Sequence, residues 1–415
     1  MTEHADMNEN MNENMDTGMN AAGPGDTVSR NDAHGSLLAA YEGLSTRDRR
    51  PPLGIRFMRW GYKHVGKPIV FKMTPDRAHE VVLDVSERFG SVSAFDSVLH
   101  GMLAVEDPNL ERTVMGVRYR TPFGLSAGLD KDVQLLRILD AAGFGFSSYG
   151  SLTLDACAGN PRPWFHRLPD YDSLLIHAGL PNAGAKSALD RADGIGTPYG
   201  MVRHASIGFT NRRYPDALEG MINDFAGGIA LAMDSTSSNV VEVNVSCPNL
   251  SEGKPFQTTK ALDRLFSRLD EISPSDGGVR KPVSVKMPST DRTHLAELLE
   301  VLADHDVQGV VLSNLLEDRT GYRMPADWEG SMSGRPCHAH AVDAVKSTRD
   351  RWGDRFAIEG VGGIFTPEDA LEMLDAGADL VAFVSTLMFD GPQQAAVFAY
   401  ALSKAIGATG NMGNS

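Results

Sequence analysis

Residues 356–389 read FAIEGVGGIFTPEDALEMLDAGADLVAFVSTLMF. Two apolar runs, 356–361 and 380–385, flank Thr366-Pro367-Glu368-Asp369, which has the form of an N-cap, a first-turn proline and early acids. Ala370, Leu371 and Leu374 follow at helical spacing. A strand, a capped helix and a second strand in so short a span form the repeating unit of a parallel sheet. Upstream the unit recurs. Strand-like runs stand at Leu125, 143–149, 204–209, 240–245, 282–287 and 309–314, with amphipathic stretches between most of them. One such stretch is opened by Ser289-Thr290-Asp291 and carries Leu295, Leu298, Leu299 and Leu302 on one face. Eight strand–helix steps within about 300 residues predict an α/β fold, a (β/α)8 TIM barrel, rather than an open doubly wound sheet. No GxGxxG follows an early strand, which agrees.

The chain has 415 residues, 42% hydrophobic and 22% charged, as a globular protein does. Lys and Arg total 39 against 54 Asp and Glu, a formal charge of -15, the wrong sign for a general nucleic-acid binder. The three cysteines, Cys157, Cys247 and Cys337, are far apart and form no CxxC pair. A disulfide scaffold is excluded, and neither a zinc nor an iron–sulfur site is expected; no metal ligands are read from the sequence. No run is long enough to span a membrane, and no basic-then-apolar leader opens the chain, so the expected location is cytoplasmic.

Residues 1–35, with the near-repeat MNENMNENM at 7–15, are polar, acidic and poor in branched or aromatic residues, and are expected to be a disordered tail. Residues 36–100 are read as a small N-terminal helical extension and 101–410 as the barrel. Within the extension, IRFMRWGYKHVGKPIVFKM (55–73) carries Arg56, Arg59, Lys63, Lys67 and Lys72 and no acid, with aromatic and aliphatic residues interleaved. On an acidic protein this suits a peripheral contact with the inner face of a membrane. It equally suits a short helix packed by its apolar side, its cations solvated; Gly61, Gly66 and Pro68 interrupt the helical pattern. Thr74-Pro75-Asp76 then opens a helix with Ala78, Val81, Val82, Val85 and Phe89 as its apolar positions.

Barrel chemistry sits where strands end. SAGLDKD (126–132) combines small residues with Lys131. VVEVNVSCPN (240–249) clusters Asn244, Cys247 and Asn249, two amides to hold a planar polar substrate and a thiol able to move a proton. A buried cysteine is usually structural. The strand-end position, followed by SEGKP, favours a chemical role here. PVSVKMP (282–288) places Lys286 among apolar neighbours, where it must snorkel or meet an anion. Gly362-Gly363 and Val384-Ser385-Thr386 make a backbone-amide cradle after the last two strands, where barrels hold phosphate.

From Phe71 to Ala405, these segments with GSLT, GNPRP, GLPN, SGRP, GVGGI and FDGP resemble dihydroorotate dehydrogenase, an FMN-dependent barrel enzyme of pyrimidine synthesis. TPDRAHEVVLDV (74–85) resembles the extension of its membrane-associated, quinone-using class, whereas Cys247 stands where that class has serine and the soluble class has cysteine. The resemblance implies FMN contacts from Ala127, Gly128, Lys131, Ser151, Ser206, Asn244, Lys286, Ser313, Gly334, Gly363, Val384 and Ser385. It implies Cys247 as catalytic base and Lys131, Asn244, Asn249 and Asn314 as substrate contacts. It further implies a quinone acceptor at the membrane surface; the oligomeric state stays open.

Two segments depart from the family, at three positions. Its INxMG segment reads LIHAG here, so Ile176 replaces the asparagine and Ala178 the methionine. Leu315 replaces a polar residue after Asn314. The changes at Ile176 and Leu315 each remove a hydrogen-bond partner, and an unpaired buried polar group costs roughly 1–3 kcal/mol. The leading expectation is therefore a hydride transfer between flavin and a CH–CH bond beside a carbonyl, on a substrate other than dihydroorotate. Dihydroorotate oxidation with a quinone acceptor is the alternative, and a flavin-binding protein without turnover a third.

Overall fold

The computed structural model describes residues 36–90 and 92–412. The tail expected over 1–35 lies outside these. Among the described residues five α-helices, Leu37–Glu42, Leu53–Gly61, Lys67–Val70, Pro75–Gly90 and Ser93–Leu103, precede the first strand. An antiparallel hairpin follows, β1 (Arg112–Val114) and β2 (Val117–Tyr119). Eight strands then close a parallel barrel: β3 (Phe123–Leu125), β4 (Phe146–Leu152), β7 (Val202–Ile207), β8 (Val240–Asn244), β9 (Val283–Lys286), β10 (Gly309–Leu312), β12 (Ala357–Val361) and β13 (Leu380–Phe383). β13 closes on β3 through Leu125 opposite Phe383. A separate sheet of β5 (Phe165–Leu168), β6 (Ser173–Ile176) and β11 (Ser331–Met332) stands beside the mouth.

The expected (β/α)8 barrel is thus present, with every predicted strand represented. β8 is buried at all five positions, as a strand covered on both faces must be. One boundary shifted: the run predicted at 143–149 begins as a turn, with Gly143 at φ +88° and Gly145 N–H donating to Phe123 O, so β4 starts at Phe146.

Helix Arg292–Ala303 shows the packing logic. Asp291 accepts from the amides of Thr293 and His294, both at 3.0 Å, and so satisfies two of the orphan donors of the first turn. Leu295, Leu298, Leu299 and Leu302 are all buried against the barrel. Each contributes about 1.5–3 kcal/mol of apolar burial. Helix Pro367–Asp375 has its full capping box, Thr366 with Asp369.

The extension departs from expectation in two ways. Gly61, Gly66 and Pro68 do not end the helical path: Tyr62–Gly66 forms a wide π-type turn, and Pro68 sits in the first turn of Lys67–Val70, where its missing N–H costs nothing. In helix Pro75–Gly90, Ala78 and Leu83 are buried, while Val82, Val85 and Phe89 of the predicted apolar face are exposed. The helix is oriented instead by Asp76, a buried carboxylate accepting from the amides of Trp164 at 2.9 Å and Phe165 at 3.4 Å. Among the described residues no helix is long and apolar enough to cross a membrane.

Candidate active site

The strand C-termini surround one cavity. Its walls include Ala127, Gly128 and Lys131 after β3, Ser151 of β4, Asn244, Cys247 and Asn249 at β8, and Lys286 of β9. Ser313 and Asn314 after β10, Gly334 after β11, Gly363 after β12, and Val384 and Ser385 after β13 complete them. Of the residues singled out in the sequence, Ser206 alone does not line it. Fully buried, its hydroxyl lies between Ser151 Oγ at 2.8 Å and Glu242 Oε1 at 2.7 Å, behind the wall.

Hydrogen bonds hold the polar side chains in place. Asn244 Nδ2 donates to Ser151 Oγ at 2.7 Å, and its Oδ1 accepts from Ser246 Oγ at 3.1 Å. Asn314 Nδ2 donates to the same serine hydroxyl at 2.8 Å. Asn249 Nδ2 donates to Ile176 O at 3.0 Å, tying the loop after β8 to the end of β6. Lys286 Nζ donates to Ser126 Oγ at 3.3 Å. Lys131 Nζ donates to Gly128 O and lies 5.6 Å from the centre of the Phe165 ring.

Burial dominates the electrostatics. It lowers the Lys131 ammonium to about 8 despite Asp132 and Cys247 nearby. It raises the Cys247 thiol to about 11, against the opposing pull of the Asn249 amide, Lys286 and Lys131. Cys247 is therefore a thiol near neutral pH, the pull of the two lysines being outweighed by desolvation.

The sequence did not point to the wall supplied by the extension. His79 reaches the cavity from helix Pro75–Gly90, with Nε2 3.0 Å from Leu129 O and its ring 5.4 Å from Phe165. Burial, with Lys131 nearby, lowers it to about 4, so it is neutral. The signal was present in TPDRAHEVVLDV, but nothing local says which helix face meets the barrel. Ile176, Ala178, Leu315 and Phe165 form an apolar part of the wall.

The far end suits a phosphate. Among the described residues, the amides of Gly334, Gly363 and Ile364 make no hydrogen bond to protein. Gly334 has φ +75°, and a Cβ there would fall 2.2 Å from Asp172 O; Gly363 has φ +65°, and its Cβ would fall 2.7 Å from His338 Cβ. Only glycine permits this backbone. Free amides, two lysines and a long apolar slot match the donor set FMN requires, a phosphate cradle and cations beside a flat ring.

Comparison with known proteins agrees. Residues 109–405 match the family model described as dihydroorotate dehydrogenase. A relative from Chloroflexus aurantiacus, "Dihydroorotate dehydrogenase (quinone)", is 32% identical over 347 residues, 80% of this chain and 93% of its own. One of the same name from Salinispora arenicola is 34% identical over 340 residues, 80% and 96%. The crystal structure of DHODH from Eimeria tenella in complex with ferulenol superposes with a TM-score of 0.71 at 20% identity, covering 83% of this chain and 96% of that one. The chain belongs to the dihydroorotate dehydrogenase family and is an FMN-dependent oxidoreductase acting on CH–CH bonds.

Proposed function

We propose that the protein oxidises dihydroorotate to orotate in pyrimidine synthesis and delivers the electrons to a membrane quinone. The observation that carries this reading is the convergence of Cys247, Lys131, Asn244, Asn249 and Asn314 on one cavity, one of whose walls belongs to the N-terminal extension. The relatives' names favour it over the altered-substrate expectation.

In this reading Cys247 Sγ takes the proton from the carbon beside the carbonyl, while Asn244, Asn249, Asn314 and Lys131 hold the substrate flat. Gly334, Gly363, Val384 and Ser385 would hold the phosphate of the cofactor, and Ala127, Gly128, Ser151 and Ser313 would hold the rest of it. Lys286, on the cavity wall, would offset negative charge on a reduced flavin held there. FMN held in this cavity would supply the two-electron acceptor for the hydride. Ser206 acts indirectly, by fixing Ser151.

The acceptor side rests on the extension. Leu53, Phe57, Trp60, Val65 and Ile69 are each more than half exposed, on the same segment as Arg56, Arg59, Lys63 and Lys67. Apolar groups turned outward among cations favour a lipid surface over packing against the body. Tyr62 donates to Met388 O, and Arg167 donates to Met73 O at 2.6 Å, so this segment is anchored beside the cavity end lined by Met388.

One observation favours a second reading: Ile176, Ala178 and Leu315 make part of the cavity wall apolar, which suits a less polar substrate. The test is anaerobic. L-dihydroorotate added to the yellow holoenzyme should bleach the oxidised flavin band, and a soluble quinone analogue should restore it. A protein that stays yellow with dihydroorotate yet bleaches with dithionite would refute the first reading in favour of the second.

A further inference from the structure

Below the cavity, inside the barrel, three strands each present one ionisable side chain to the interior. His204 of β7, Glu242 of β8 and Glu359 of β12 are fully or almost fully buried. One donor atom from each lies within 4.8 Å of the other two. Three points so spaced always leave a position within about 2.8 Å of all of them, and a contraction of about 0.6 Å would reach ordinary metal–ligand lengths. The hairpin closes the space from the opposite end, with Val114 and Tyr119 packed against Phe146, Val202 and Leu380.

The hydrogen bonding of this cluster is incomplete in a specific way. Glu242 Oε1 accepts from Ser206 Oγ at 2.7 Å, but among the described residues Glu242 Oε2 has no partner, and neither has Glu359 Oε1. Glu359 Oε2 is 3.6 Å from His204 Nδ1, too far for a hydrogen bond. The other ring nitrogen, Nε2, is 2.9 Å from the Tyr119 hydroxyl. Nδ1 has the Ser148 hydroxyl at 3.4 Å, a long contact that an ion at Nδ1 would replace, leaving Nε2 held by its outer partner as in a metal-bound imidazole. Lys286 is the nearby cation in the barrel, but its Nζ is engaged with Ser126 Oγ on the cavity side. Two buried carboxylates, each with an oxygen lacking a partner, beside an imidazole form a donor set that a cation would satisfy.

We propose that His204, Glu242 and Glu359 bind a divalent metal ion of the zinc or manganese type, the class that accepts mixed imidazole and carboxylate donors. The ion lies between the hairpin and the flavin cavity and ties β7, β8 and β12 together across the interior. It is separate from the redox chemistry, and the proposal stands whichever substrate the enzyme takes.

The experiment uses the holoenzyme, expressed with added zinc and manganese chloride and then dialysed against a chelator to strip surface ions. Metal content by plasma mass spectrometry, normalised to FMN, should be about one ion per flavin, and Glu242→Gln and Glu359→Gln should each lower it by about fivefold or more while retaining flavin. An anomalous-scattering peak at the metal edge, flanked by these three residues in wild-type crystals, would support the site even if neither variant folds. Less than about a tenth of an ion per flavin in wild type, or unchanged content in both flavin-retaining variants, would overturn it, leaving a shared proton or trapped water to satisfy the carboxylates.

Discussion

Restoring polar groups at two wall positions should tighten dihydroorotate binding. Ile176 closes β6 with its backbone fixed on three sides: it pairs with Phe165 and Ser331, and its carbonyl accepts from Asn249 Nδ2 at 3.0 Å. Leu315 N–H donates to Asn314 Oδ1 at 2.9 Å, so its side chain also leaves from a held position. Ile176→Asn and Leu315→Thr would therefore present new polar groups without moving the wall. If each pairs with a substrate atom otherwise buried unpaired, each recovers roughly 1–3 kcal/mol. The double variant then binds dihydroorotate from about 30-fold to more than about 1,000-fold tighter than wild type. Anaerobic stopped-flow bleaching at increasing L-dihydroorotate gives the dissociation constant for each. A double variant within about threefold of wild type, far less than two hydrogen bonds are worth, would refute the reasoning that these aliphatic groups cost the enzyme affinity.

Four other outcomes follow from the geometry. Because burial raises the Cys247 thiol to about 11 and catalysis needs its deprotonated form, flavin reduction should accelerate roughly tenfold per pH unit from about 7 to 9 and level off near 11. Cys247→Ala should retain FMN and lose that slope; wild-type reduction rates in the variant would remove the base assignment. Reversing Arg56, Arg59, Lys63 and Lys67 to Glu should cut binding to anionic vesicles by roughly 1,000-fold at about 1 kcal/mol per cation, and equal flotation of both proteins would sink the surface contact. Lys286→Met should weaken FMN retention by about tenfold, measured as flavin lost on dialysis; retention equal to wild type would show that its cation does not face the flavin. Leu298→Ala, at a fully buried site, should cost about 2–5 kcal/mol in urea unfolding, and a loss below about 1 kcal/mol would mean the helix packs more loosely than its burial indicates.

Why some of the site was legible and some was not follows from where each residue lies. Asn244, Cys247 and Asn249 were visible because they stand within six positions at the end of an apolar strand, so chain connectivity alone brings them together. Ser206, which the resemblance implies as an FMN contact, lies behind the wall with Ser151 in front of it, an order of side chains that linear motifs do not carry. The sheet beside the mouth was missed because its strands are two to four residues long and β11 joins β6 from about 155 positions away. In the extension, an apolar pattern was legible, but not which part of it would be buried: Asp76 bonding to the Trp164 amide turns Val82, Val85 and Phe89 to solvent.

By itself the sequence determined the eight-fold alternation of strand and helix, hence the barrel, and with it the end of the barrel where chemistry collects. Those properties are local: hydrophobic period, caps and glycines act over a few residues. It also carried the family, through motifs whose order is linear. Only the tertiary structure decided how His79 of the extension meets Lys131 of the barrel, and that desolvation outweighs the lysines around Cys247. Closure of the barrel brought Glu359 of β12 across β10 and β9 to Glu242 of β8 and His204 of β7. In the sequence these three stand in separate strands, about 40 and 120 positions apart, with no local pattern that links them. Their meeting is a property of a closed interior, where distance is measured across the barrel and not along the chain.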